Sequence, residues 1–347
     1  MQNFRKATIG ATGDILIHKR VYNKAKTENG YDFSEMFENV KHLFKEDHVI
    51  IVNQESIIAG EEIGLSDFPQ FNSPVEIGYQ LKDMNVDIVN IANNHMLDRG
   101  EEGLLLSIKN WEKIGIPYVG ANKSIEDYET LRIIHKNGLR ICFLSYTKSV
   151  GTNKKYKKFL VNKYENVGVK WLRRIIDRIR RENVADVIVV SIHFGKEYQM
   201  LPTANQIETA SNIADAGADI IIGHHPHVLQ PPAFLVDSKG RETFVAYSLG
   251  NFFSGQKGLY RQIGAYMTID VEKPIQSNGS LLKISRPTFR LTYVDSSDNA
   301  DYKMYLLKDI VENQKTIKTD VGEFDSREVY ERMIKHMTKW IPDLDIS

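Results

Sequence analysis

The chain has 347 residues, with 45 basic side chains balancing 45 acidic ones. Zero net charge argues against a general nucleic-acid binder, whose domains are basic overall. The 42% hydrophobic and 26% charged content is that of a soluble globular protein. The single cysteine, Cys142, lies in the apolar run Ile141-Cys142-Phe143-Leu144; it excludes an intramolecular disulfide and fits a reducing compartment. No apolar run approaches the ~18 residues of a membrane span, and the polar stretch Met1 to Lys6 is no signal peptide. The expectation is a cytoplasmic protein with no intrinsic membrane anchor, peripheral membrane association being left open.

Strand and helix signals alternate along the chain. Ala7–Ala11 and the short apolar Val49–Val52 read as strands. Ser73-Pro74-Val75-Glu76 has the form of a capping box with proline at the first helical position, opening a helix to about Met84. Val86–Ala92 returns as a strand, Glu102–Ile114 as a helix stopped by Gly115 and Pro117, and Tyr118-Val119 as a short strand. Asn137-Gly138 between Leu131–His135 and Arg140–Tyr146 predicts a hairpin. Val169–Asn183 reads as an amphipathic, arginine-rich surface helix. Asp186–Ile192 is a buried strand ending at His193, Ala204–Ala216 a helix, and Ala218–Ile222 and Phe244–Leu249 further strands. Beyond about Ile263 the pattern is mostly β, ending in a helix near Arg327–Lys339. This alternation predicts an α/β fold. Thr147–Tyr164 stands apart, with six lysines and no acid: a solvated loop, or an anion-attracting flap beside a site.

The chemistry gathers where strands stop. Gly223-His224-His225-Pro226-His227 places three of ten histidines after the apolar Asp219–Ile222. Asp14, Glu55, Asn94-His95 and His193 also follow apolar stretches. Ligands in open α/β sheets gather outside the carboxyl ends of strands, so one convergent metal centre is expected. Each signal has a plainer reading: Asp14 could cap a turn, Asn93-Asn94 could make one, and a lone His193 could be a satisfied core residue. In an extended segment His225 and His227 would point to one side and His224 away. His18, four residues after Asp14, could share its face if the segment turns helical. Mixed imidazole, carboxylate and amide ligands suit zinc, iron or manganese. Seven such groups exceed one tetrahedral zinc's four ligands and would suit two ions about 3.5–4 Å apart, which polarise a phosphoester and activate water.

In this order the segments Gly13-Asp14, Asn53-Gln54-Glu55, Asn93-Asn94-His95-Met96-Leu97-Asp98-Arg99-Gly100, His193-Phe194-Gly195-Lys196-Glu197-Tyr198, Gly223-His224-His225-Pro226-His227-Val228-Leu229-Gln230 and Tyr247-Ser248-Leu249-Gly250-Asn251-Phe252 resemble the bacterial capsule-synthesis family (CapA, or poly-γ-glutamate biosynthesis protein). The resemblance spans about residues 7–256. That family looks like a branch of the calcineurin-like metallophosphoesterases. The resemblance implies a four-layer α/β/β/α sandwich over residues 1–275; residues 276–347 resemble no named family and read from their own pattern as a mostly β and helical extension packed on the same domain. It implies Asp14, Glu55, Asn94, His193, His225 and His227 as ligands of two divalent ions, with His18 a further candidate. It also implies His95 as the acid that protonates the leaving group. Asn53, Asp98, Glu197 and Asn251 would surround these ligands. Leu16 stands where the superfamily has a metal-binding histidine, and Glu55 replaces its second aspartate. Family members that work with a synthase complex usually carry an N-terminal anchor; this sequence starts almost directly at its first strand, so a soluble stand-alone member is expected.

The leading expectation is a hydrolase of capsule or poly-γ-glutamate biosynthesis, with His95 as general acid and His224 or Lys196 steadying developing charge on an anionic small molecule or polymer. The alternatives are a non-catalytic component that binds an anionic polymer, and a metal-stabilised structural domain. The sequence does not fix the oligomeric state.

Overall fold

Strands that are apolar on both faces must be covered on both faces, and the layering follows from that. The computed structural model describes residues 4–152, 155–164, 169–275, 282–297 and 300–347. Its first strands are β1 (Phe4–Leu16), β2 (His48–Gln54), β3 (Ile88–Asn90) and β4 (Tyr118–Val119), interleaved with helices α1 (Glu76–Asp83) and α2 (Gly100–Ile114). The hairpin β5 (Arg132–Lys136) and β6 (Leu139–Thr147) is followed by α3 (Val169–Arg181), β7 (Val187–His193), α4 (Ala204–Ala216) and β8 (Ile220–His224). Then come β9 (Ala233–Val236), β10 (Glu242–Ala246), β11 (Asn251–Ser254), β12 (Ile263–Pro274), β13 (Lys283–Val294), β14 (Met304–Leu306), α5 (Ser326–Met337) and β15 (Asp345–Ile346).

Two sheets result. The first has nine strands in the order β14-β13-β12-β1-β2-β3-β4, with β11 joining β1 and β15 joining β13; the second runs β9-β10-β8-β7-β6-β5. Side chains alternate between faces along a strand, and the core clusters record it. Ile9, Val49, Ile51, Ile141, Val189 and Ile222 fill the space between the sheets. Ile50 and Val52 face α1 and α2 with Leu81, Leu104 and Trp111. Cys142, Ile188, Val190 and Ile221 face α3 and α4 with Leu172, Ile176 and Ile213. The architecture is therefore a four-layer α/β/β/α sandwich.

The segment after residue 275 contributes to the same layers. Its β13 pairs antiparallel with β12, from Ile263 against Tyr293 to Glu272 against Lys283. Val329, Met333 and Met337 of α5 enter the space between the sheets. No helix among the described residues is long and apolar enough to cross a membrane.

Local chemistry accounts for most boundaries and for three departures from expectation. Asn137 (φ 50°) and Gly138 (φ 77°) both adopt positive φ, the turn that matches strand twist in a two-residue hairpin. The capping box at Ser73 does not form. The Ser73 hydroxyl lies 2.7 Å from that of Ser56, and α1 begins at Glu76 without a side-chain cap. The strand expected over Val86–Ala92 is shorter, because the Asn90 side chain accepts the Ala92 N–H at 3.0 Å and turns the chain. The strand expected over Phe244–Leu249 breaks after Ala246, and Ser248-Leu249 pairs instead with Leu229-Gln230.

Asp186 fastens the two sheets together away from the site. Its buried carboxylate accepts from Arg140 of β6 at 3.1 Å and from Lys273 of β12 at 2.6 Å. Burial opposes its ionisation, but these hydrogen bonds outweigh burial and hold its carboxyl below the usual range. Its contribution is therefore complete above the unfolded-state value of about 4 and is lost as pH falls through the lower folded value. Asp186→Asn should lower the unfolding free energy by about 2 kcal/mol at pH 7, the scale of hydrogen bonds to charged groups. Urea titrations across pH should show that deficit persisting at pH 5 and shrinking in acid.

Candidate metal centre

β1, β2 and β3 run parallel, as do β6, β7 and β8, so their carboxyl ends share one edge of the sandwich. Asp14 lies near the end of β1 and Glu55 directly after β2. Asn94 follows β3, and His193 and His224 close β7 and β8. Two glycines permit the crowding there. A Cβ on Gly13 would lie 2.3 Å from the Gly250 carbonyl oxygen, and one on Gly223 would lie 2.1 Å from that of Tyr247.

Asp14 is the most heavily partnered group. Its Oδ1 accepts from Asn53 Nδ2 at 2.8 Å and lies 3.0 Å from His224 Nδ1. Its Oδ2 accepts the backbone N–H of His225 at 3.2 Å and lies 3.2 Å from His227 Nδ1. Burial works against its charge, yet hydrogen bonds and the charges of His224 and His227 hold the carboxyl well below the usual range.

Glu55 is the opposite case. It is fully buried, and neither carboxylate oxygen has a hydrogen-bond partner. His193 Nε2 lies 3.5 Å and His227 Nε2 3.6 Å from its Oε1. Burial, reinforced by the charges of Asp14 and Glu197, pushes its pKa well above the usual value. Nδ1 of His193 and Nδ1 of His225 are likewise buried without partners.

Ligand atoms gather in three overlapping sets, each within 4.8 Å: Glu55, His193 and His225; Asp14, Glu55 and His227; Glu197, His225 and His227. Asn94 adds an amide oxygen 2.8 Å from His193 Nε2. Burial, then the neighbouring imidazoles, keep His193 well below its ordinary value, and burial brings His225 to about 4, so both are neutral and ready to coordinate near pH 7. For His227 the charges of Glu55 and Asp14 overcome burial and raise its pKa to about 9. The unpartnered Glu55 oxygens, with the imidazoles of His193 and His227 beside them, suit a divalent cation, which would satisfy carboxylate and imidazoles together.

His95 borders this cluster. Its Nδ1 lies 2.7 Å from Asp98 Oδ2, which also accepts the Phe71 N–H at 2.8 Å. Phe71 packs edge-on against the ring at 4.8 Å. Nε2 is left towards Asn94, 3.2 Å from its Nδ2. Asn251 holds His227, with Oδ1 2.9 Å from Nδ1.

Some expected residues are placed differently. His224 does not turn away. His225 (φ 99°) and His227 (φ 56°) leave the extended conformation, so the two-residue alternation fails and His224 braces Asp14. His18 belongs to none of the three ligand sets, and its Nδ1 lies 3.1 Å from the Leu16 carbonyl oxygen. Lys196 is exposed, and no hydrogen bond or ion pair ties it to these residues. Glu197, expected outside the ligand set, brings a carboxylate oxygen within range of His225 and His227.

Asn93, where the sequence allowed a turn, makes one, and two further residues, Asn90 and Ser145, escaped the sequence reading. Asn93 donates to the Gln54 carbonyl oxygen at 3.0 Å and accepts the His95 N–H at 3.1 Å, shaping the turn that carries His95. Asn90 donates to Asn53 Oδ1 at 2.9 Å, and Ser145 donates to Asn90 Oδ1. With Asn53 they extend a buried chain of hydrogen bonds from Asp14 into the second sheet. Only the polarity of Asn90 and Ser145 inside apolar strands could have marked them.

Parallel strands ending in a carboxylate and imidazole cluster define an α/β sandwich with a candidate metal centre at one edge. The chain belongs to the bacterial capsule synthesis protein family PGA_cap, whose model matches residues 8–256. It is 29% identical over 262 residues to the capsule biosynthesis protein CapA of Bacillus anthracis, covering 72% of this chain and 60% of that protein. It is 30% identical over 251 residues to the PGA biosynthesis protein CapA of Bacillus subtilis (strain 168), covering 70% and 62%. The match thus spans about three fifths of each relative's length. Among solved structures, the Thermus thermophilus sulfate thiohydrolase SoxB in complex with glycerol aligns with a TM-score of 0.41 at 13% identity, over 84% of this chain and 42% of that one.

The state of His227 sets a pH dependence. Below about 9 it carries a proton in the metal-free protein, and a bound cation must displace that proton. Manganese affinity should therefore rise with pH up to that region. Calorimetry at pH 7 in buffers of different ionisation enthalpy should record proton release on binding.

Proposed function

We propose that the chain is a metal-dependent hydrolase acting in capsule or poly-γ-glutamate biosynthesis, on an anionic substrate. The observation that carries this reading is the fully buried Glu55 carboxylate, with neither oxygen partnered, facing the imidazoles of His193 and His227. Asp14, Glu55, Asn94, His193, His225 and His227 would hold two divalent ions, manganese, iron or zinc, with Glu197 available as a further carboxylate. When bound, such ions polarise a phosphoester or amide and activate water.

The chain's own residues supply the rest. Asp98 holds His95 Nδ1, which turns Nε2 towards Asn94, and a proton delivered from the ring would be the one carried on Nε2 when both nitrogens are protonated. His95 can then deliver a proton to the departing oxygen or nitrogen. His224 and Asn53 hold Asp14 from the side away from the other ligands, so the carboxylate keeps its orientation.

The lysine-rich segment favours an anionic substrate. Gly151 N–H donates to the Asn94 carbonyl oxygen at 2.7 Å, and Lys148 N–H donates to that of His193 at 3.0 Å. Lys155 and Tyr156 help line a cavity of about 380 Å³ that reaches Asp98. The same stitching also suits a binder of an anionic polymer, and turnover separates the two readings. With manganese supplied, His95→Ala should reduce hydrolysis of p-nitrophenyl phosphate or its bis-ester by at least about 100-fold, the scale of a lost general acid, while metal content is unchanged. Absence of turnover in the unsubstituted metal-loaded protein would favour the polymer binder.

A further inference from the structure

A second cavity, of about 630 Å³, opens at the edge where β4 of the first sheet approaches β6 of the second, roofed by α3. No residue of the metal centre lines it. Its volume lies within the range of about 300–1,000 Å³ typical of small-molecule sites.

Helix α3 has two uses. Leu172, Ile176 and Ile179 pack on the second sheet. Trp171, Arg174 and Arg178 follow one another at three- and four-residue spacing and so share another face, which lines the cavity. Trp171 stacks on Tyr128, with ring centroids 5.6 Å apart at 22°, and meets Tyr146 edge-on at 5.7 Å. Together they make an aromatic wall. Arg174 and Arg178 are exposed and their guanidiniums have no hydrogen bond or ion pair among the described residues, whereas that of Arg180, on the helix's other side, is bonded to Asp219. One carboxylate, Glu129, shares the rim.

We infer that this cavity is a binding site for a phosphate-bearing ring compound of nucleotide size. The guanidiniums of Arg174 and Arg178 would take the phosphate, and the aromatic wall the ring. Paired guanidiniums match the oxygens of a phosphate in a way that ammonium groups do not. A flat ring gains by packing on an aromatic surface. The floor includes Ser145, the last member of the hydrogen-bonded chain that begins at Asp14, so the cavity and the metal centre share one buried polar network.

The test is titration of the full, manganese-loaded chain with AMP, followed by tryptophan fluorescence and calorimetry. A His95→Ala background slows turnover of the probe. Saturable quenching is expected, with ribose 5-phosphate and adenosine each at least tenfold weaker than AMP. Arg174→Ala/Arg178→Ala should raise the Kd at least tenfold. Circular dichroism would check that each variant is folded, which the exposure of both arginines favours. The inference is overturned if AMP does not bind saturably, if ribose 5-phosphate binds as tightly as AMP, or if binding depends on His225 and not on the arginines.

Discussion

The site depends on one constraint: a carboxylate cannot remain charged, buried and unpartnered without a cation. Glu55 is in that position, with both oxygens lacking donors and imidazoles at 3.5 and 3.6 Å. Isolated burial of an ionised carboxylate is so costly that the group otherwise takes up a proton. The raised pKa of Glu55 and the raised pKa of His227 are two signs of the same strain in the metal-free cluster. A cation held among these groups would remove both and would give the Glu55 oxygens the partner they lack.

The sandwich produces this cluster by stacking parallel strands. Once each strand is buried on both faces, only its ends are free to carry polar groups, and parallel neighbours present their carboxyl ends together. Five segments far apart in sequence thereby meet at one edge. The hydrogen bonds around Asp14 and the Asp98–His95 pair are made by residues next to the ligands. The chain order of the motifs thus already contains the groups that orient them.

Much of this was legible in the sequence because burial on both faces leaves a simple signature: an apolar run with a polar residue where it stops. Asp14, Glu55, His193 and the histidine triplet all stand out in that way. The helix Ala204–Ala216 and the Asn137-Gly138 hairpin were readable from local chemistry alone. What was not readable depended on tertiary contacts. Ser73 has the form of a cap but is taken by Ser56, which is distant in sequence. His224 faces Asp14 because its neighbours adopt positive φ, which an alternation rule cannot foresee. Asn90 and Ser145 look like ordinary strand residues until the two sheets are superposed. The lysine-rich segment could be recognised by composition, but its attachment to Asn94 and His193 runs through backbone groups.

The most direct test of this account is manganese titration of chelator-treated protein, followed by electron paramagnetic resonance and by metal analysis after desalting. The account predicts two ions retained per chain with an exchange-coupled spectrum, and loss of that coupling in Glu55→Gln, which removes the carboxylate shared by two of the ligand sets. Failure to retain manganese, zinc or iron under any loading condition would contradict it.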